Sequence, residues 1–450
     1  MNIKEELKNK SQNIRSDLFN FSFNCRALNY RSLLKGFNKP IFDLFNLTYK
    51  NLTIDEKIKN LFHGEEINTT EKQSALHHVY RDIFSDKPNN FQSNQLLEEC
   101  KDSIEECIGL RSKLINRGIK NIVTIGIGGS FEGPKLLIET LTNPSSRYFN
   151  HIFLTGPDHL EFKETVESLK QEETFFIVSS KSFTTDETLQ SLKLSKSWIL
   201  QNCSFDDHFI AITSQPDKAK ELGFNNMITF PNEIGGRYSM WSPISLPAIL
   251  ELGNDFIEFL KGGGEADNQL LYDNEYKKFI KTLSFSDLWY SNFNQRETRV
   301  LLTYSWKMRF FKDYAQQLEM ESLGKQPNQN SIFQKTGQIV FGGFGSTAQH
   351  SYFQLLHQGT SSICADIFTI EDYRVKNKLL FAQSQAQANL LAAGGNADLK
   401  DHEKVNSDVP TNLFTLKTLS PFNLGYLTAS WEHRTFVTSQ MLEINPFDQF

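Results

Sequence analysis

The sequence predicts an α/β protein made of two doubly wound, flavodoxin-like parallel-sheet subdomains, with helical N-terminal and C-terminal segments. Three observations predict this class. Short β-rich apolar runs recur without polar alternation, as strands buried on both faces do. Stretches with helical periodicity lie between them, which is the rhythm of a parallel sheet covered by helices. The chemistry-bearing motifs fall where such runs end, and open parallel sheets bind ligands at the carboxyl ends of their strands.

The chain has 450 residues, long for a single hydrophobic core, so two domains or one elaborated α/β body are expected. Hydrophobic residues make up 39% and charged residues 22%, the balance of an ordinary soluble globular protein. The net charge of -6 offers no electrostatic case for nucleic acid. No run approaches the roughly 18 apolar residues of a membrane span. The opening "MNIKEELKNKSQNIRSDLFNF" has no apolar core of a signal peptide, so a cytoplasmic location is expected. Cys25, Cys100, Cys107, Cys203 and Cys364 are scattered and form no C-x-x-C, which fits reduced structural thiols.

In chain order, residues 1–110 read as a helical N-terminal segment packing on the larger subdomain. The first sheet domain spans 111–260. Its strands are "NIVTIGI" (121–127), "HIFLTG" (151–156), "TFFIVSS" (174–180), "HFIAITS" (208–214) and "NMITFP" (226–231). "KGGGEADNQ" (261–269) reads as the boundary. The second sheet domain spans 275–450. "RVLLTYS" (299–305), "GQIVFGG" (337–343) and "SICADIFTI" (362–370) each lead into a helix.

"GIGGSFEG" (126–133) resembles a dinucleotide loop but breaks its spacing, because Phe131 stands where G-x-G-x-x-G needs the third glycine. The second strand ends in Thr155 rather than an acid, and no Gly-Lys-Ser/Thr follows to make a Walker loop. A plain strand-to-helix turn and a phosphate cradle both remain open. "SSKSFTTDET" (179–188) favours the cradle. Ser180, Ser182, Thr184 and Thr185 surround Lys181 at a helix start, and a helix cap needs only one hydroxyl.

Three further stretches make the resemblance specific: "EIGGRYSMWSPISL" (233–246), "QQLEMESLGK" (316–325) and "QHSYFQLLHQGT" (349–360). With the two loops above, in this order, they resemble the phosphoglucose isomerase family, built from two sugar-isomerase (SIS) domains. "EKQSALHHVYRD" (71–82) and "LTASWEHRTFVTSQMLEINPFDQF" (427–450) extend the likeness over most of the chain. The resemblance implies reversible interconversion of glucose 6-phosphate and fructose 6-phosphate without metal or organic cofactor. It also implies a homodimer whose active sites are shared between subunits.

That chemistry needs a base to carry a proton between C1 and C2 through a cis-enediol. By resemblance the base is Glu321, whose pKa desolvation can raise. Arg237 is the cation that stabilises the enediolate. His350 is the ring-opening group. Gln317 and Gln449 contact substrate. Gly129, Ser130, Ser180, Lys181, Ser182 and Thr185 bind the phosphate, with Ser182 where the family commonly has Thr. Taken alone, a late-helix Glu or an Arg is usually a surface residue; the motifs single these out. His350 and His357, seven residues apart, do not make a metal site.

The family continues past "FDQ" into a "GVELGK"-like segment that carries an active-site lysine, whereas this sequence stops at Phe450. A second reading is therefore a sugar-phosphate-binding protein with impaired catalysis. A third is another SIS-type enzyme acting on an amino sugar phosphate.

Overall fold

The computed structural model describes residues 3–12, 18–395, 400–406 and 408–449; Phe450 lies outside them. Twelve strands are present among the described residues. Near the amino terminus are β1 (Leu18–Phe19), β2 (Ser22–Asn24) and β3 (Leu28–Lys35). The middle of the chain gives β4 (Asn121–Ile125), β5 (Asn150–Leu154), β6 (Thr174–Ser179), β7 (Phe209–Thr213) and β8 (Met227–Thr229). The last part gives β9 (Thr298–Thr303), β10 (Ile339–Phe344), β11 (Ile363–Ile370) and β12 (Thr411–Leu416).

The chain divides into two units. One comprises Phe62–Glu65 and Gln73–Gly264; the other comprises Met1–Leu61, Glu66–Lys72 and Glu265–Phe450. In the first, β5-β4-β6-β7-β8 form an all-parallel sheet. The winding reverses at β4, the switch point where such sheets open a crevice. Strand β6 is buried at all six positions, as its unbroken apolar run requires. Val123, Ile125, Phe176, Val178, Phe209 and Ala211 form its core with Leu192 and Ile199 of the covering helix Asp186–Ile199.

The second unit repeats this winding in β10-β9-β11-β12, all parallel, and adds β3 antiparallel on β12. Residues 18–35 are thus strands and not helices as expected. In β3, Leu28, Tyr30 and Ser32 are buried while Asn29 and Arg31 are partly exposed, a period of two that the interleaved polar residues disguise. β12 was likewise not expected, since Thr411, Asn412 and Thr415 break its apolar run.

The stretch at 261–269 lies inside the helix Asp255–Tyr272, and the division between the units, after Gly264, falls within that helix. Its glycines answer to packing. A Cβ on Gly263 would stand 2.4 Å from Arg81 Cδ, and one on Gly264 2.7 Å from the Arg81 carbonyl. Close approach of another helix there outweighs the ~1 kcal/mol that glycine costs a helix interior.

The second unit is built around a buried charge cluster. Arg299 on β9 pairs with Asp287 at 2.8 Å, with Asp366 of β11 at 3.4 Å, and with Glu319. Arg434 pairs with Asp287 at 2.6 Å and Asp366 at 2.8 Å. Trp431 Nε1 donates to Glu319, Asn412 donates to Asp366, and Tyr30 OH donates to Asn412. Burial pushes the Asp287 carboxyl up, but Arg299 and Arg434 outweigh it and hold it below the usual carboxylate range.

A carboxyl depressed in the folded state stabilises above its unfolded pKa, and that contribution is lost as pH falls through the folded value. Urea midpoints are therefore expected to fall as pH drops below ~4, the ordinary Asp pKa, and to fall less steeply in Asp287→Asn. Identical slopes contradict the assignment. Arg434→Met, which leaves Asp287 and Asp366 short of a cation, is expected to cost about 3–5 kcal/mol of stability.

Candidate active site

In the first unit the chemistry gathers at the carboxyl ends of β4 and β6. After β4 the chain turns through Gly128, at φ 57°, into the helix Gly129–Leu141. A Cβ on Gly129 would lie 1.8 Å from the Gly236 carbonyl oxygen and 3.0 Å from the Arg237 nitrogen, so two glycine-rich turns touch through their backbones. A Cβ on Gly126 would lie 2.8 Å from Ser130 Cβ and 3.3 Å from the Ser179 carbonyl, which brings the β4 and β6 loops together. Arg237 opens the 3₁₀ turn Gly236–Trp241 and is 2% exposed.

After β6, the loop Ser180–Thr185 is tied to the end of β7. The Lys181 carbonyl accepts from Thr213 Oγ1 and Ser214 Oγ, each at 3.0 Å. Phe183 sits at φ 49°, a conformation uncommon for a bulky side chain. Its N–H donates to Ser180 Oγ at 3.1 Å and its buried ring packs on Phe224. Ser182 and Thr184 hydroxyls pair at 2.7 Å. Neither Gly128 nor Thr185 makes a side-chain cap to its helix. Two helix N-termini thus present backbone N–H groups beside Ser130, Lys181, Ser182 and Thr185, an arrangement suited to a phosphate.

The second unit holds the residues expected from the sequence to do acid–base chemistry. Glu321 lies near the end of the helix Phe311–Leu323. Gln317, one turn back, donates to Glu321 Oε2 at 3.1 Å, and Gln449 donates to Oε1 at 2.6 Å. Each carboxylate oxygen is held by a neutral amide, so three residues singled out from the sequence meet in one cluster.

His350 does not join them. The helix carrying Glu321 joins the parallel strands β9 and β10, so it returns antiparallel to them. Gln316 Nε2 donates to the Val340 carbonyl at the start of β10, and Glu319 meets Arg299 near the start of β9. Glu321, beyond both, lies at the amino edge of the sheet. His350 caps the helix Gly345–Gln349, which begins where β10 ends, at the carboxyl edge. Val340 to Phe344 alone is about 13 Å of strand at ~3.3 Å per residue. The expectation that every motif falls at a carboxyl end is thus corrected for Glu321 and Gln317. Near His350, Gln349 donates to Tyr304 OH at 3.3 Å, and burial pushes the Tyr352 phenol up to about 12.

Sequence reading missed Lys325 and Asp448. Lys325 Nζ donates to Asp448 Oδ1 and to its carbonyl, each at 2.7 Å. The signal was available: opposite charges stand four residues after Glu321 and one before Gln449.

A family model described as phosphoglucose isomerase matches residues 37–450. A glucose-6-phosphate isomerase of Legionella pneumophila (strain Lens) is 33% identical over 447 residues, covering 95% of this chain and 87% of that protein. One from Hydrogenovibrio crunogenus is 34% identical over 440 residues, covering 88% and 80%. The crystal structure of a glucose-6-phosphate isomerase from Chlamydia trachomatis superposes with a TM-score of 0.86 at 23% identity, over 99% of this chain and 91% of that one. At that identity the likeness speaks to the fold.

The backbone contact at Gly129 is open to test. Gly129→Ala forces the two turns apart and is expected to cost about 1–3 kcal/mol of stability. It should also weaken inorganic phosphate binding, measured by calorimetry, at least tenfold. Unchanged stability and affinity would refute the contact.

Proposed function

The chain belongs to the phosphoglucose isomerase family, and on that premise we propose that it interconverts glucose 6-phosphate and fructose 6-phosphate through a cis-enediol, with Glu321 carrying the proton. The observation that carries this reading is the seating of the Glu321 carboxylate between Gln317 and Gln449. The two amide donors fix the direction of the carboxylate, and a base must be held within reach of the proton it moves. Glu321 takes the proton from C2 of the open-chain aldose and returns it to C1. Negative charge develops on the oxygens of the enediolate in between, and the buried guanidinium of Arg237 is assigned to it.

The phosphate is assigned to the Gly128–Ser130 turn and the Ser180–Thr185 loop. Binding energy from this unreactive end of the substrate fixes the sugar for the proton transfer. Ring opening, which delivers a proton to O5 and takes one from O1, is assigned to His350.

Glu321 and His350 stand at opposite edges of one sheet, too far apart to serve the same sugar from one chain. The proposal is therefore a homodimer in which His350 acts with the Glu321 of a second copy. Trp306, Val375 and Leu379 follow β9 and β11 at the edge where His350 lies, and they are 56%, 79% and 72% exposed. Apolar side chains of that size so exposed suit a face covered by a second copy. No helix among the described residues is long and apolar enough to cross a membrane, and a cytoplasmic site of action is part of this reading.

A coupled assay on fructose 6-phosphate tests it. Glu321→Gln is expected to lower kcat by ~10²–10⁴ with little change in KM; a fully active variant would discard Glu321 as base. Refolding a mixture of inactive Glu321→Gln and His350→Ala chains should restore about one quarter of native activity. Half of the dimers are mixed, and each mixed dimer rebuilds one of its two sites. No recovery would reject sharing between copies.

A further inference from the structure

We propose that Asp448 and Lys325 are a positioning pair that keeps an ammonium group off the catalytic carboxylate while seating Gln449 upon it. This rests on the reading of Glu321 as the base. Lys325 follows Glu321 by four residues, just past the helix end, where the Gly324 N–H closes on the Met320 carbonyl at 2.9 Å. It therefore stays beside the turn that carries Glu321. Its ammonium group is held by two oxygens of Asp448, at 2.7 Å each. The next residue, Gln449, reaches Glu321 at 2.6 Å. Two consecutive residues of the tail thus separate two groups of opposite charge that the helix end brings close.

The tail is built for this duty. Pro446 and Phe447 are buried, and the Phe447 ring packs on Phe436 with centroids 6.0 Å apart. Asn445 Nδ2 donates to Asn68 Oδ1 and to Thr70 Oγ1, each at 2.8 Å. Thr70 Oγ1 in turn donates to Asp448 Oδ2 at 2.8 Å. One Asp448 oxygen is therefore fixed by the loop at 68–71 and the other by Lys325. Two charged groups on elements packed against this helix, Arg299 of β9 and Glu432 of the helix Pro421–Leu442, are held by other partners. Arg299 is engaged by Asp287 and Glu319, and Glu432 accepts from Tyr314 OH at 3.2 Å. Lys325 is a cation that the loss of one tail carboxylate would release next to Glu321. An ammonium group on Glu321 would displace the Gln449 amide and stabilise the ionised carboxylate. A base so stabilised takes the C2 proton more slowly.

The test is a cycle of Asp448→Asn, Lys325→Met and the double variant. Asp448→Asn should lower kcat at least tenfold while KM moves less than threefold. Lys325→Met, which removes the cation and leaves Asp448 held by Thr70, should lower kcat much less than Asp448→Asn does, and adding it to Asp448→Asn should restore most of the lost kcat. A merely structural role for Asp448 cannot produce that rescue. Thermal midpoints and circular dichroism check that each variant is folded. Thr70→Val, which removes only the hydroxyl on Asp448 Oδ2, should show a milder form of the same loss. A ¹³C titration of the Glu321 carboxyl, assigned by difference from Glu321→Gln, gives a readout that needs no turnover. Its apparent pKa should fall in Asp448→Asn and return in the double variant. An active Asp448→Asn, a double variant as slow as the single one, or an unmoved titration would each overturn the pair. If the native chain fails to isomerise, the reading of Glu321 as base falls, and the titration still decides whether Asp448 shields it from Lys325.

Discussion

The second unit depends on the pairing of Arg299 and Arg434 with Asp287, Asp366 and Glu319. These side chains come from β9, β11 and three helices, and Asn412 and Tyr30 carry the network on to β12 and β3. Three carboxylates face two guanidinium groups, so the cations alone do not balance the charge. The indole N–H of Trp431 and the amide of Asn412 satisfy the remaining oxygens. A buried ion cluster of this kind adds little net stability over a well-packed apolar core, yet it is severely destabilising to break, because each lost partner strands a buried charge. It therefore acts as a register. The elements can pack in the arrangement that pairs every member, and slipped arrangements are penalised.

That register reaches Glu321, the residue proposed as the base. Glu319 is drawn inward by Arg299 and Trp431, and residues two apart on a helix point about 200° away from each other. Locking Glu319 into the core turns Glu321 outward, on the same side as Gln317 one turn before it. The orientation of an outward carboxylate is thus set by an inward one. A surface residue with three rotatable bonds would otherwise lose its direction to side-chain entropy. The two amides complete what the helix rotation begins, and the tail brings one of them.

Much of this was legible in the sequence, and the failures share a cause. Strands β4 to β11 announce themselves as apolar runs, because both faces of a parallel sheet are covered. β3 and β12 do not, because they carry Asn29, Arg31, Asn412 and Thr415 within the strand, and Asn412 is there to serve the buried cluster. The boundary read at 261–269 does contain the division after Gly264, but its glycines lie in a helix and not in a turn, because glycine is the same letter in a flexible turn and in a tight helix contact; the neighbouring Arg81 decides. Gln317, Glu321 and Gln449 were singled out by motif, but their meeting depends on a tail folding back across more than a hundred residues. The position of Glu321 at the amino edge needed no side-chain detail. A helix that joins two parallel strands must end at the edge opposite the one where it begins.

The glycines of "GIGGSFEG" show how one local pattern serves two ends. Gly128 takes a positive φ so that the chain can turn directly from strand to helix. Gly126, Gly129 and Gly133 have another reason, since a Cβ on each would strike, in turn, Ser130, the Gly236 carbonyl and Met240 Cβ. Two of these three partners belong to the turn that carries Arg237. The spacing that departs from a dinucleotide loop at Phe131 follows the demands of that contact, and Phe131 itself packs on Phe153 of β5 with centroids 5.2 Å apart. Small residues here bare the N–H groups at the start of the helix and also let the Gly236–Trp241 turn come down onto them. The buried guanidinium and the N–H groups at the helix start are therefore fixed by the same missing side chains. A single added methyl at Gly129 disturbs both at once, so the Gly128–Ser130 turn and Arg237 form one mechanical part of the first unit.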